Sequence, residues 1–320
     1  YAEEVTNDYG YLGGYAYDPY YQDPYPVPSY SEPETPSETI REEPETEPET
    51  LPAVKLKGSD ENLKKTADIS GKVHVLSMSS GRGEAVLLES GGRYALIDTG
   101  NTESSLAIRE QMWDLGVTEI DFLILSDDDP GLIGGTTYLM DNFRINKLYV
   151  PDNSSGDSEI NTAIIPKAQE ENITIADPSD IASETLGRMT LSAISGSNKA
   201  PYGICIVDDY DNSAFIAGNI SSADGDEIKI LKQYPQLADI DVLAAGHYGE
   251  GDASSFAFVQ YLNPGCCVVP GTQLVNEDSL TGTRSEKHNN IFYASGMTVS
   301  AVLGDVLNIE CRTYSTDTGE

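Results

Sequence analysis

Three consecutive carboxylates, Asp127, Asp128 and Asp129, follow the apolar run 122–125 after the single residue Ser126 and lead into Pro130, Gly131 and the pair Gly134-Gly135. A strand cannot continue through that proline and those glycines. The chain must therefore turn and present the acidic side chains at a sheet edge, where loop-borne sites are built. Carboxylates so placed suit two chemistries. Oxygen donors on an irregular loop can hold a hard cation, calcium taking six to eight of them at about 2.3–2.6 Å. A pair such as Asp127 and Asp129 can also divide the roles of general acid and base. Neighbouring side chains fan apart, so a cation site here needs further donors; Asp98, Asn219 and backbone carbonyls are the ones in view. The spacing of an EF-hand loop is absent, and a solvated acidic loop would need no ligand at all.

Other segments fall around this loop in an order that matters. Arg82-Gly83-Glu84-Ala85, then Leu96-Ile97-Asp98-Thr99-Gly100-Asn101, then residues 126–135, then Ala217-Gly218-Asn219, then Ala245-Gly246-His247-Tyr248-Gly249-Glu250, resemble the successive motifs of the metallo-β-lactamase fold. Within that superfamily the chain is most similar to the domain at the C-terminus of competence-type DNA-uptake channel proteins. The resemblance covers about residues 70–312. It implies an α/β chain folded as an αββα sandwich over 70–314, with a zinc centre at the strand ends.

At the ligand positions this chain departs from the family pattern. Asp127 and Asp129 stand where the first two histidines belong, Gly131 where the aspartate belongs, and Leu132 where the third histidine belongs. Asn219 stands for the metal-bridging carboxylate, and His247 keeps one imidazole of the last motif. Zinc is held at about 2.0–2.2 Å by three or four protein nitrogen, sulfur or oxygen donors. A set of Asp127, Asp129, Asn219 and His247 does not supply the family's centre. The resemblance thus implies neither zinc nor a catalytic residue, and leaves a weakly held divalent cation such as calcium as the one cofactor to consider. Asp98 and Glu84 match family positions whose role is to brace the loop. His247, a lone histidine at a strand end, reads as a hydrogen-bonded remnant before it reads as a ligand.

Other chemistries find no support. The Gly-x-Ser-x-Gly elbow, the phosphate-binding Gly-x-x-x-x-Gly-Lys and the dinucleotide fingerprint are all missing. Three histidines in 320 residues, with none between His74 and His247, leave little for proton transfer near neutral pH.

The elements that must position the loop are legible around it. Apolar runs at 85–89 and 94–97, split by Gly91-Gly92, predict a hairpin. Residues 104–115 carry a helical pattern stopped by Gly116. Residues 73–78, 121–125, 147–150, 173–175, 189–194, 242–245 and 267–269 read as strands, and 136–143, 161–171, 226–234 and 254–262 as helices. Residues 204–207 should pair with 213–217, and 299–303 with 306–310. Strands in both halves with helices between them point to an αββα sandwich.

Residues 1–53 differ in kind. Nine of the nineteen tyrosines fall in the first 30 residues, and Pro-Glu-Thr repeats occupy 31–52. Such a segment cannot bury a core and predicts a disordered, extended tail or spacer. The chain does not start with Met, which points to a leader or anchor removed ahead of Tyr1. No run of about 20 apolar residues is present to span a membrane. The formal net charge is −34; residues 1–51 hold 13 acidic and one basic residue, leaving residues 52–320 with 40 against 18. That surface repels phosphate backbones and anionic lipid, so nucleic acid is not an expected partner. Cys205, Cys266, Cys267 and Cys311 show no ligand spacing, set no disulfide pairing, and read as buried thiols.

Two functions follow. The first is an extracytoplasmic, secreted or envelope-tethered binding or structural module of metallo-β-lactamase fold, with a protein or envelope component as its partner. The second is a metal-dependent hydrolase with an oxygen-rich site around Asp127, Asp129 and His247.

Overall fold

The computed structural model describes residues 68–313 apart from 80, 81, 152–155, 198, 224, 272, 273 and 275; the tail expected at 1–53 lies outside them. Fifteen strands occur among the described residues. β1 (Ile69–Val75), β2 (Val86–Ser90), β3 (Arg93–Ile97), β4 (Glu119–Ile124), β5 (Arg144–Tyr149) and β6 (Thr174–Ala176) join β14 (Met297–Gly304) and β15 (Asn308–Thr313) in one sheet. Its order is β15-β14-β1-β2-β3-β4-β5-β6, antiparallel as far as β3 and parallel beyond it. The second sheet takes β7 (Ala182–Leu186), β8 (Met189–Ile194), β9 (Gly203–Asp208), β10 (Ser213–Ile216), β11 (Val242–Ala244), β12 (Cys266–Val269) and β13 (Ile291–Tyr293), in the order β13-β12-β11-β10-β9-β8-β7.

Side-chain alternation decides how these sheets stack. Val86, Leu88, Ala95, Ile97, Phe122 and Ile124 point one way and meet Leu191, Ile204, Ile206, Ala214, Ile216 and Val242 from the other sheet. Leu87, Leu96, Leu123 and Leu148 point the other way, onto Ile108 and Met112 of α1 (Ser105–Asp114) and, beyond the four-residue α2 (Pro130–Ile133), Leu139 of α3 (Thr136–Met140) and Ala168 of α4 (Ile165–Glu170). On the far side Phe215, Leu243, Cys267 and Val269 pack against Ile230 of α5 (Asp226–Gln233) and Phe258 and Leu262 of α6 (Phe256–Leu262). A last helix, α7 (Arg284–Lys287), precedes β13. The result is an αββα sandwich. Burying a Leu, Ile or Phe stabilises by roughly 1.5–3 kcal/mol, and a one-residue slip would turn every one of these side chains to the wrong face.

Several expected elements change at their ends. The helix expected at 161–171 is two pieces, a wider π turn at Ile160–Ile164 followed by α4. Pro166 is the reason: it has no N–H to continue an α ladder, and the Ile165 N–H reaches back to Ile160 O instead. The strand expected at 73–78 lies earlier, at Ile69–Val75. Pro130–Ile133, expected only as a turn, closes one helical turn. Cys266 and Cys267 face different cores, as alternation on a strand requires. The expectation of four buried thiols fails for Cys311, which is exposed on the edge strand β15, and for Cys205, which is partly exposed; all four thiols are free. Among the described residues no helix is long and apolar enough to cross a membrane.

Candidate functional site

β3, β4, β10 and β11 end on the same side of the sandwich, and the loops that leave them converge. Asp98, just past β3 and at φ 56°, accepts hydrogen bonds from Ser126 N at 2.8 Å and Ser126 Oγ at 2.7 Å. The loop after β4 is thereby tied to the neighbouring strand. Thr99 adds two bonds to the carbonyl of Leu132, 2.6 Å from its N–H and 2.9 Å from its hydroxyl. Gly218 brings the loop after β10 against Ser126, and its carbonyl accepts from His247 N at 2.6 Å. The bracing role expected of Asp98 is therefore visible atom by atom.

Asp129 starts α2 as its N-cap, accepting from Gly131 N at 2.7 Å, with Pro130 in the first turn. The same Oδ1 accepts a short hydrogen bond from the Tyr248 hydroxyl. Asp127 accepts from the Asn219 amide at 2.6 Å. Burial lifts the Asp127 carboxyl above its ordinary range, and the Asn219 bond pulls it partly back. Asp98 is fully buried, and burial pushes it up to about 7 despite its bonds from Ser126. Tyr248 is buried, and burial together with Asp129 keeps its phenol protonated far above its usual range.

Glu84 behaves differently from the expectation placed on it. Its backbone does brace the loop, N–H to Gly131 O at 3.2 Å and carbonyl to Gly100 N at 2.9 Å. Its carboxyl does not: both oxygens are buried without a hydrogen-bond partner among the described residues. Burial, with Asp98 as a like charge beside it, holds this group protonated well above the carboxylate range.

Above these groups opens a cleft of about 550 Å³ lined by Arg82, Glu103, Asp129, His247 and Tyr248 among others. Arg82 spans one wall in an ion pair with Glu250 at 2.6 Å. His247 is half-buried with its ring edge-on to Tyr248 at 5.2 Å. Asp129 and His247 thus share the cleft, while Asp127 and Asn219 pair with each other. Leu132 points away altogether, wholly buried in the cluster beneath the helices.

A zinc centre is what the resemblance would put here, and the residues do not fit one. Gly131 has no donor, Leu132 is in the core, and the Asn219 amide spends its N–H on Asp127. Among the described residues no three His, Cys, Asp or Glu side chains are grouped to hold a metal ion. The residue that sequence reasoning missed is Tyr248. Its signal was present, since it stands at the second imidazole of the last motif; its partner, 119 positions away, was not.

Three solved structures to which the chain is similar are of this kind. A metallo-β-lactamase fold protein from Bacillus subtilis, YhfI, is 15% identical over 75% of this chain and 98% of its own, with a TM-score of 0.48. A diphosphatase from the PhnP family is 14% identical over 75% of this chain and 100% of its own, at a TM-score of 0.47. A subclass B3 metallo-β-lactamase from a soil metagenome library, MEM-A1, is 18% identical over 57% and 80%, at 0.40. The likeness is one of chain arrangement, at identities that carry no activity across. No protein-family profile matches the chain. No curated protein matches it either.

Proposed function

We propose that this chain is a non-catalytic binding module built on a metallo-β-lactamase-type sandwich, a degenerate relative of the domain found in competence-type channel proteins. The observation that carries the reading is the use made of the motif loop: its carboxylates are occupied by protein donors, Asp127 by Asn219 and Asp129 by Gly131 N and Tyr248. A zinc hydrolase lowers the pKa of a bound water to about 7 with a metal held by several side chains and one position open, and this donor set does not offer that.

The module acts outside the cytoplasmic membrane, secreted or tethered to the envelope, with residues 1–53 as spacer. Its partner is a protein or envelope component, and the acidic surface favours a basic one over nucleic acid. The test is elemental analysis of the native protein together with hydrolysis assays on β-lactam, phosphodiester and ester substrates. The expected result is no stoichiometric zinc or calcium and turnover at background. About one metal ion per chain, lost with activity in His247→Ala, would replace this reading with the oxygen-rich hydrolase.

A further inference from the structure

We infer that Tyr248 and Gly131 form an interlocking plug and socket that closes this centre to a metal ion and joins its two loops by hydrogen bonding in place of coordination. Tyr248 is 2% exposed, and its hydroxyl bonds Asp129 Oδ1, the oxygen that also caps Gly131 N. A methyl group at position 131 would lie 2.5 Å from the Tyr248 hydroxyl oxygen and 2.9 Å from Cζ. Carbon cannot come so close, so any side chain at 131, the family's aspartate included, competes with the ring for the same space. Glycine here is a socket, not a hinge: Gly131 lies inside α2, where its backbone conformation is open to any residue.

The backbone that delivers the ring supports the same view. His247 and Tyr248 are consecutive non-glycine residues at φ 47° and 59°. Each is a strained conformation for a residue with a side chain and persists only when its surroundings enforce it. The enforcing contacts are present: His247 N–H to Gly218 O at 2.6 Å, and Gly271 N–H to Tyr248 O at 3.1 Å. A side chain at 271 would lie 2.3 Å from that same carbonyl. Strain, clamp and socket all serve to keep one phenol pointing inward at Asp129.

The inference rests on the metal-free reading of the site but fails separately from it. The experiment is a thermal-melting cycle of wild type, Gly131→Ala, Tyr248→Ala and the double variant, with bound zinc measured in the wild type. Alanine is the better helix former, so Gly131→Ala should lower the melting temperature by several degrees in the Tyr248 background and leave it unchanged or raise it in the Tyr248→Ala background. Where Tyr248→Ala does not fold, Tyr248→Phe serves: it removes the 2.5 Å contact and keeps the 2.9 Å one, so the Gly131→Ala penalty should shrink without vanishing. An equal penalty in both backgrounds, or none in the wild type, would overturn the interlock. Stoichiometric zinc on the wild type would overturn the proposed function and, with it, the closure, while the coupling of the two residues would still be read from the melts.

Discussion

The two ends of β10 hold buried carboxylates in opposite conditions. Before its start, where β9 ends and the chain turns into β10, Asp208 is saturated: it accepts from Ser70 Oγ at 2.5 Å, Asn212 Nδ2 at 2.8 Å, Asn212 N at 2.8 Å and Tyr210 N at 2.9 Å. Asn212 then donates on to Gly304 O at 2.7 Å, so this turn ties both sheets together. At the other end Asp98 has only Ser126, the partly buried Asp127 has the Asn219 amide and the Asp128 backbone, and the Glu84 carboxyl has no partner among the described residues. Burial with few matching donors raises all three carboxyls above their ordinary range, Glu84 well above it and Asp98 to about 7. The contrast separates a carboxyl that four donors of the fold tie into its own assembly from carboxyls that the fold buries with few donors or none.

The largest expected effect is on the pH dependence of stability. Asp98 sits at about 7 in the folded chain against an ordinary 3.8. A folded-state pKa raised in this way gives stability that is complete below about 4 and is lost as pH rises through about 7. For one buried carboxyl that amounts to roughly 4 kcal/mol, and Glu84 adds in the same direction. Urea denaturation from pH 4.5 to 8 should therefore show falling stability, and Glu84→Gln should flatten the curve. A flat wild-type profile would erase the distinction between the two ends.

Next in size is Asp208→Ala. It strands three buried donors and a part-buried one that water can reach; at the low end of about 1–3 kcal/mol for each buried donor, a drop of roughly 3 kcal/mol is expected at pH 7 in the same denaturation experiment. Asn219→Ala is the smallest, about 1 kcal/mol for one lost bond. It should also steepen the pH profile, because the bond it removes is what pulls Asp127 back toward its ordinary range. Equal losses for the two variants would mean that the ends are alike after all.

Much of the sandwich was legible because alternation is local. The split of 86 and 88 from 87, or of Cys266 from Cys267, is a two-residue period that sequence displays directly. Pro130 and Gly131 concealed α2, although Asp129-Pro130 is a helix start as much as a turn. The π turn before Pro166 escaped for a related reason: a proline announces a change of ladder and does not say which. At the site, the motif order located the loops and the positions of Asp127, Asp129, Asn219 and His247. It could not show that Asn219 donates to Asp127, that Leu132 turns into the core, or that Tyr248 reaches Asp129 across the fold. Those depend on which surfaces meet, and no short window of sequence holds that information.

The adjacent thiols of β12 carry one more consequence. Cys266 lies between the sheets and Cys267 under the helices, so neighbouring atoms of a single strand sample separate layers of the molecule. A layer that opens without the other exposes one sulfur and leaves its neighbour shielded. Native chain chemistry therefore supplies paired reporters of partial unfolding, able to tell helices lifting from a sheet apart from the two sheets parting, with no label introduced by design.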